Sequence, residues 1–462
     1  MVNHSTQKSS LQKILEARSI AIVGASNNRN KLGHTITSNL ITAGFQGKIF
    51  PINPGGEPIL GLPSYPDLGN VPEDIDLVVF CVPGSLIPPM LDPAALKGAS
   101  GAIVISGGFR EVGNTALEKE LIEAATKAGI RIVGPNCQGI NYIPNRMCAS
   151  WPAIIKLGGM AIISQSGTIA ATLAGWAEDE GIGVSGVVSL GNQVDLCETD
   201  FLEAFGDDSQ TQVIAMYIEG VKNGRRFMDI ARKIEKPIVI LKSGRTPGGK
   251  KAAASHTRSL AGRDDVFSGI CRQLGIIRAE NVEELYDFAK GFARIPLPQG
   301  PRLMIVTSSG GSGILTIDVA EKYGLQIPAV DEELAAALKA GAIPASAVIN
   351  NPFDLTGSAL SEDYMEAMRI LEEYNIADQY LLIFGDPIPG SAEKMEPYLK
   401  SMRKTVAICY LGGGKIQSEE LEIFHQKQIP VYPTPERAAR LLAALYDKQI
   451  LKSNISGGSR NE

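Results

Sequence analysis

Short apolar, β-branched runs recur along this chain, each closing on a Gly, Ser or Pro cluster and followed by an amphipathic stretch. Ser19 to Val23, Lys48 to Ile52, Leu77 to Val82, Gly101 to Ile105 and Ile130 to Val133 form a first set. Met160 to Ile163, Val184 to Leu190, Val213 to Ile218 and Pro237 to Leu241 form a second. Arg302 to Thr307, Tyr380 to Phe384, Thr405 to Tyr410 and a run near Val431 form a third. Strands that alternate with helices need crossover connections, so the pattern predicts α/β domains built on parallel sheets. The 49 Gly and 27 Pro among 462 residues gather at the ends of these runs, as the loops of such folds require.

The second and third sets read as diverged copies. GGMAIISQSGTIAATLAGWAEDEGI from Gly158 parallels GPRLMIVTSSGGSGILTIDVAEKYGL from Gly300, each a strand, a Ser/Gly loop and a helix. SLGNQVDL then corresponds to INNPFDLTG, AMYIEG to LLIFGDP and KPIVILKSG to KTVAICYLG. A repeat of roughly 145 residues is a domain duplication, since solenoid periods run only ~20 to 50. The expected partition is residues 1–150, 151–295 and 300–452, with RIPLPQGP (Arg294 to Pro301) as linker and a disordered polar tail at 453–462.

Charge and targeting signals exclude several classes. With 44 Lys plus Arg against 50 Asp plus Glu, the net charge of −6 argues against a nucleic-acid binder. The polar start lacks a secretory h-region and no stretch offers ~18 uninterrupted apolar residues, so neither membrane insertion nor export is expected, and the protein is placed in the cytoplasm. The six cysteines are scattered without CxxC or a zinc-type His spacing, so they are read as reduced and no metal site is expected.

Candidate chemistry lies at strand ends. The turn from Ile22 to Gly33 occupies the place where a doubly wound domain holds nucleotide phosphates. It lacks G-x-G-x-x-G, and the second strand ends in Pro51-Ile52-Asn53-Pro54 without a ribose-binding acid, which disfavours NAD. A phosphate-bearing ligand still suits Gly24 to Asn28, together with Val82-Pro83, Ser106-Gly107 and Asn136 at later strand ends; ordinary turn chemistry is the alternative. The duplicated loops, Ser164-Gln165-Ser166-Gly167-Thr168 and Gly310-Gly311-Ser312-Gly313, each offer hydroxyls and free amides at a helix start. Paired, they suit one anion; singly, they are two N-capped helices, and neither is a G-x-S-x-G elbow. Gly244 to Lys251 imitates a P-loop but has Lys251 where Ser or Thr should hold Mg²⁺.

Of the four histidines, His4 falls in the N-terminal tail and His425 reads as a surface residue. His256 lies in Lys242 to Gly262, expected to be a long flexible loop, which suits an imidazole that travels between sites. A nucleophilic imidazole needs an acceptor for its other nitrogen, and Glu219 at the end of AMYIE is the candidate. A structural or solvated histidine is the bland alternative.

GPNCQG at Gly134, SQSGT at Ser164 and SHTRSLAG at Ser255 together make the chain resemble the α subunits of NDP-forming acyl-CoA synthetases, of the succinyl-CoA synthetase superfamily, over nearly its whole length. The resemblance implies a Rossmann-like coenzyme A-binding domain followed by two flavodoxin-like, doubly wound ligase domains. It assigns coenzyme A to Gly24, Ser26, Asn27, Asn28, Arg29, Asn53, Val82, Pro83, Ile105, Ser106, Gly107 and Asn136. It makes His256 the phosphorylated residue, Glu219 its orienting carboxylate, and the two Ser/Gly loops the paired helix termini that hold the phosphoryl group. Acyl-CoA and phosphate would give an acyl phosphate, then phosphohistidine, then ATP from ADP, reversibly. No ATP-grasp portion remains in the three domains, so ADP/ATP and Mg²⁺ are expected on a separate β subunit in an α2β2 assembly. Ala171 stands where succinyl-CoA synthetases carry a substrate-contacting tyrosine, so succinate is not implied, and Arg258 replaces a small residue common in the family. A non-catalytic coenzyme A-binding regulatory protein is the competing reading.

Overall fold

The first sheet is assembled from apolar runs buried on both faces: β1 (Ser19–Val23), β2 (Lys48–Ile52), β3 (Leu77–Phe80), β4 (Gly101–Val104) and β5 (Arg131–Val133). All neighbours run parallel in the order β2-β1-β3-β4-β5, which is why these strands lack polar alternation. The winding reverses between β1 and β3, and ligands bind such sheets at the carboxyl ends beside that reversal. The protein, a computed structural model, is described over residues 11–257 and 262–458. It divides into two compact units, Met1–Asp179 with Gly183–Val282, and Glu180–Ile182 with Glu283–Glu462.

The first unit also holds a seven-stranded sheet. Strands β6 (Gly139–Tyr142), β7 (Met147–Ser150), β8 (Leu157–Ser164), β9 (Val184–Ser189), β10 (Val213–Ile218), β11 (Ile238–Lys242) and β12 (Ile277–Ala279) take the order β12-β11-β10-β8-β9-β6-β7. From β8 to β12 all pairs are parallel, whereas the β6–β7 hairpin is appended antiparallel to β9. That hairpin falls inside the segment 1–150 expected for the first domain, yet its ladder belongs to the second sheet. The second unit carries β13 (Leu303–Thr307), β14 (Phe353–Asp354), β15 (Gln379–Phe384), β16 (Thr405–Tyr410) and β17 (Val431–Tyr432), all parallel in the order β14-β13-β15-β16-β17. Its winding repeats that of β9-β8-β10-β11-β12, as a duplication requires.

Three observations bear on the expected partition and loops. The change of compact unit falls near Val282, ahead of RIPLPQGP. Helix Val282–Arg294 is pinned inside the second unit: Arg437 donates to Asp287 at 2.6 and 2.9 Å. Lys290, its side chain 1% exposed, donates to Glu180 at 2.8 Å and to the Val431 carbonyl at 2.9 Å. A lysine so buried requires such partners. Secondly, the stretch 242–262 contains helix Pro247–Thr257 instead of a long loop. Proline at N1, the Thr246 hydroxyl accepting from Gly249 N at 3.1 Å, and the run Ala252-Ala253-Ala254 are helix signals that outweigh the two glycines. Thirdly, helix Pro435–Gly458 runs through 453–458 of the supposed tail, continuing a strong helix-forming segment; residues 459–462, like His4, lie outside the described residues. Among the described residues no helix is long and apolar enough to cross a membrane.

Candidate functional site

Each duplicated loop is closed by the last side chain of its strand. Ser164 Oγ donates to the Ser166 carbonyl at 2.6 Å and accepts from Ser166 N at 3.1 Å. Thr307 Oγ1 does the same to Ser309, donating to its carbonyl at 3.0 Å and accepting from its N–H at 2.9 Å. These turns launch helices Gly167–Asp179 and Gly310–Lys322 with Gly167, Thr168, Gly310, Gly311 and Ser312 in their first turns, where amides lack intrahelical acceptors. Gly313 is buried against Pro352, so it packs the helix instead of facing a ligand.

Gln165 brings Glu219 to the first loop. Its Oε1 accepts from Glu219 N at 2.6 Å and Gly220 N at 3.2 Å, while its Nε2 donates to the Gly220 carbonyl at 2.8 Å. Glu198 holds the same strand-end loop from the other side, accepting from Lys222 N at 3.3 Å. Burial pushes the Glu198 carboxyl above the ordinary range, against the hydrogen bonds from Lys222 and Thr199. Glu219 itself is 5% exposed. In the second copy Ser308 Oγ accepts from Gly385 N at 2.9 Å, the counterpart of the Gln165 clamp.

At the first βα turn, Gly24 has φ +90°, and a Cβ there would lie 2.8 Å from the Cys81 carbonyl. A Cβ on Gly33 would sit 2.0 Å from the Gly24 carbonyl, so helix Leu32–Thr42 packs directly on this turn. Ser26 Oγ accepts from Asn28 N at 3.1 Å, and the His34 ring Nδ1 lies 3.1 Å from the Ser26 carbonyl. Asn27 donates to Pro58 O at 2.9 Å and accepts from Leu60 N at 3.0 Å; Asn53 donates to Ala25 O at 2.8 Å. These two asparagines therefore shape the turn, while Asn28 and Arg29 stand exposed. Of the later strand ends, Val82 is half-buried, and Pro83, Gly107 and Asn136 are exposed. Ile105 lies in the core and offers a ligand only main chain.

The segment Gly134 to Gly139 links the two sheets of the first unit. Asn136, at φ +58°, donates from its backbone N to the Ser106 carbonyl at 3.0 Å, and Gln138 N donates to Ser189 Oγ at 3.1 Å. Asn192 braces the same junction, donating to Glu111 at 2.7 Å and Glu118 at 3.0 Å. Burial raises the Glu111 carboxyl, but the bonds from Asn192 and from the Gly108 and Phe109 amides outweigh it and hold the group below its usual range. Gln138, Glu111 and Asn192 were not among the sequence candidates: Gln138 and Asn192 sit inside the quoted segments GPNCQG and SLGNQVDL, whereas Glu111 carries no local signal. His256 stands in the last turn of helix Pro247–Thr257; its side chain and Arg258 lie outside the described residues, and so does the expected pairing with Glu219.

Residues 18–143 match the model of a CoA binding domain, and 157–292 that of a succinyl-CoA ligase like flavodoxin domain. The α subunit of ADP-forming acetate–CoA ligase I from Pyrococcus furiosus is 39% identical over 95% of this chain and 97% of that subunit. The chain belongs to the ADP-forming acetate–CoA ligase family. Another member, ADP-forming acetate–CoA ligase I of Archaeoglobus fulgidus, is 35% identical, and the match covers 96% of this chain but 65% of that protein. Among solved members, dinucleotide-forming acetyl-coenzyme A synthetase 1 of Ca. Korarchaeum cryptofilum, in complex with phosphate and ADP, matches with a TM-score of 0.90 at 35% identity, over 97% of this chain and 98% of that one.

Proposed function

We propose that this chain is the α-type subunit of an ADP-forming acyl-CoA ligase, an acid–thiol ligase that interconverts acyl-CoA, phosphate and ADP with a carboxylic acid, coenzyme A and ATP. Phosphate attacks the thioester carbonyl to give an acyl phosphate and coenzyme A; His256 then takes the phosphoryl group, releasing the acid, and passes it to ADP. A phosphoramidate keeps the transfer potential that a serine ester would lose. Coenzyme A is assigned to the first βα turn and the adjoining strand ends, with Asn28, Arg29, Gly107 and Asn136 as the exposed members. The phosphoryl group is assigned to the amides after Ser166, because transfer of this kind is governed by positioning and electrostatics.

The observation that carries this reading is the Gln165 clamp. It fixes a buried carboxylate-bearing residue, Glu219, beside a loop whose helix opens with free amides, in a chain whose relatives are named as ADP-forming ligases. Glu219 is proposed to orient His256. ADP/ATP and Mg²⁺ are assigned to an ATP-grasp β subunit in an α2β2 assembly, a division supported by a relative of which the match covers 65%, leaving about a third of its length beyond this chain. A cytoplasmic location accords with six free cysteines.

The test is intact-mass analysis of the chain after incubation with acetyl-CoA and phosphate, alone and with its nucleotide-binding partner. An acid-labile gain of ~80 Da at His256 is expected, lost in His256→Ala, which should still bind coenzyme A. Turnover retained by His256→Ala would refute the phosphohistidine route. No gain across a wide acyl panel would leave a coenzyme A-binding regulator as the better reading.

A further inference from the structure

The second unit contains a cavity of about 390 Å³, and none of the residues assigned to coenzyme A or to the phosphoryl group lines it. That volume is within the range of small-molecule sites, roughly 300 to 1,000 Å³. The apolar part of its lining includes Val406 and Ile408 of β16, Met402 before that strand and Ile429 before β17. β17 begins opposite Ile408, so the first residues of β16 have no strand on that side. Four cations, Arg294, Lys400, Lys404 and Lys427, complete the lining without a single Asp or Glu, in a chain whose net charge is −6. Two of them have ordinary partners: Lys400 and Lys427 share Glu396 at 2.6 and 2.8 Å, near the ends of helices Ser391–Ser401 and Gly414–Gln426. The other two have no carboxylate within ion-pair distance among the described residues. The side chain of Arg294 finds one acceptor there, the Ile182 carbonyl 3.0 Å from Nη2, and its Nε is buried without a partner. Burial pushes this guanidinium below its usual range with no carboxylate to oppose the shift. Lys404 donates to neutral oxygens, Asn375 Oδ1 at 2.7 Å and the Ala377 carbonyl at 2.6 Å.

We propose that this cavity binds a carboxylic acid with a medium-length apolar chain, its carboxylate on Arg294 and its chain over Met402, Val406, Ile408 and Ile429. Helix dipoles explain part of the charge, since the helices ending at Arg294, Ser401 and Gln426 each bring a negative end of about half a charge to the lining. Subtracting those ends and the Glu396 carboxylate from the four cations still leaves an excess of about one and a half positive charges. Such an excess beside apolar side chains is unfavourable until an anion with an apolar body covers both. It matches one carboxylate better than a di- or triphosphate. The planar guanidinium of Arg294 suits a carboxylate through two parallel hydrogen bonds, and Lys404 and Lys427 add their field. The inference goes beyond the ligase reading and does not depend on it, because the acid bound here is a ligand of the second unit.

Isothermal titration of octanoate into the full chain tests this, with Arg294→Gln, Arg294→Lys and Lys427→Glu as variants. Wild type should bind octanoate about fifteenfold tighter than hexanoate, the worth of two buried methylenes. Octan-1-ol, which has the chain without the charge, should bind at least about tenfold more weakly than octanoate. Arg294→Gln keeps a donor for the Ile182 carbonyl but loses the charge, and should weaken octanoate binding about tenfold or more. Arg294→Lys should recover part of that loss. Lys427→Glu reverses a charge on an exposed side chain, so it should weaken binding several-fold and leave the melting temperature near wild type. Unchanged octanoate affinity in Arg294→Gln and Lys427→Glu would put the acid elsewhere and overturn the proposal. So would the absence of octanoate binding to wild type, or octan-1-ol binding as tightly as octanoate. Should Arg294→Gln lower the melting temperature, Lys427→Glu decides, and unchanged affinity in that variant overturns the site.

Discussion

Replacing Gln165 by alanine should detach Glu219 from the Ser164 to Thr168 loop. The side chain makes three hydrogen bonds in an almost buried setting, accepting from Glu219 N at 2.6 Å and Gly220 N at 3.2 Å and donating to Gly220 O at 2.8 Å. At about 1 kcal/mol net for each, their loss totals about 3 kcal/mol, offset by roughly 1 kcal/mol of side-chain entropy no longer frozen. A net cost of about 2 to 3 kcal/mol corresponds to a thirty- to hundredfold loss of local protection at about 1.4 kcal/mol per decade. Hydrogen exchange at the Glu219 and Gly220 amides reads this directly, without assuming that a two-unit chain unfolds in one step. Histidine phosphorylation should slow by about a hundredfold, since a shift of about 1 Å in a positioned group costs that much. Gln165→Glu sharpens the test: at neutral pH its second oxygen faces the Gly220 carbonyl and repels it, whereas at low pH the protonated acid can donate there. Unchanged exchange at both amides in Gln165→Ala would refute the clamp. Faster exchange with normal phosphorylation would keep the clamp and remove Glu219 from the chemistry.

Gly33→Ala should push helix Leu32–Thr42 off the first turn, because its Cβ would meet the Gly24 carbonyl at 2.0 Å; a destabilisation of about 1 to 3 kcal/mol with weaker coenzyme A binding is expected, measured by denaturation and calorimetry. Glu198 has a carboxyl raised by burial, so the folded state holds its proton longer than the unfolded state does. Its contribution is present below the unfolded carboxyl value near ~4.3 and declines as pH rises above it, so Glu198→Gln should gain stability relative to wild type between about pH 5 and 8 and match it at lower pH. A gap independent of pH would count against this. The thiols of Cys81, Cys137, Cys197 and Cys271 are pushed up to about 12, chiefly by burial, so native alkylation at pH 8 should be slow at all four and become fast on unfolding.

The alternation of apolar runs with amphipathic stretches made the three parallel sheets legible, because buried strands cannot hide their composition. Strand order is written less directly; the duplication alone foretold that the second and third sheets would wind alike. Unit boundaries were harder to read. A proline-rich segment after Arg294 looks like a joint, but the tie between helix Val282–Arg294 and its unit is made by Lys290 and Asp287, which meet Glu180 and Arg437 far away in sequence. Helix Pro247–Thr257 replaces the expected loop because proline at N1 and the alanines favour a helix more than Gly248 and Gly249 oppose it. The positions of the Ser/Gly loops and of Glu219 at strand ends were legible. Gln138, Glu111 and Asn192 were not, since their meaning arises only where the two sheets of the first unit meet.

The two copies share a hydrogen-bonded frame and differ in what it carries. Ser164 and Thr307 close their loops by the same reciprocal pair of bonds, and Gln165 and Ser308 both reach the backbone after the third strand of their windings. They part at one position: Glu219 receives the clamp in the first copy and Gly385 in the second. A Cβ on Gly385 would lie 2.4 Å from Ser309 Cβ, so the second copy has no room for a side chain where the first has a carboxylate. The duplicated frame is therefore structural in both, and the carboxylate is an addition the frame tolerates only once. Gly385→Ala should destabilise the second unit by about 1 to 3 kcal/mol through overpacking. Glu219→Gln should leave thermal unfolding near wild type while slowing histidine phosphorylation. If instead Gly385→Ala were silent and Glu219→Gln unfolded the chain, the carboxylate would be part of the frame, and the two loops would have to be read as equals.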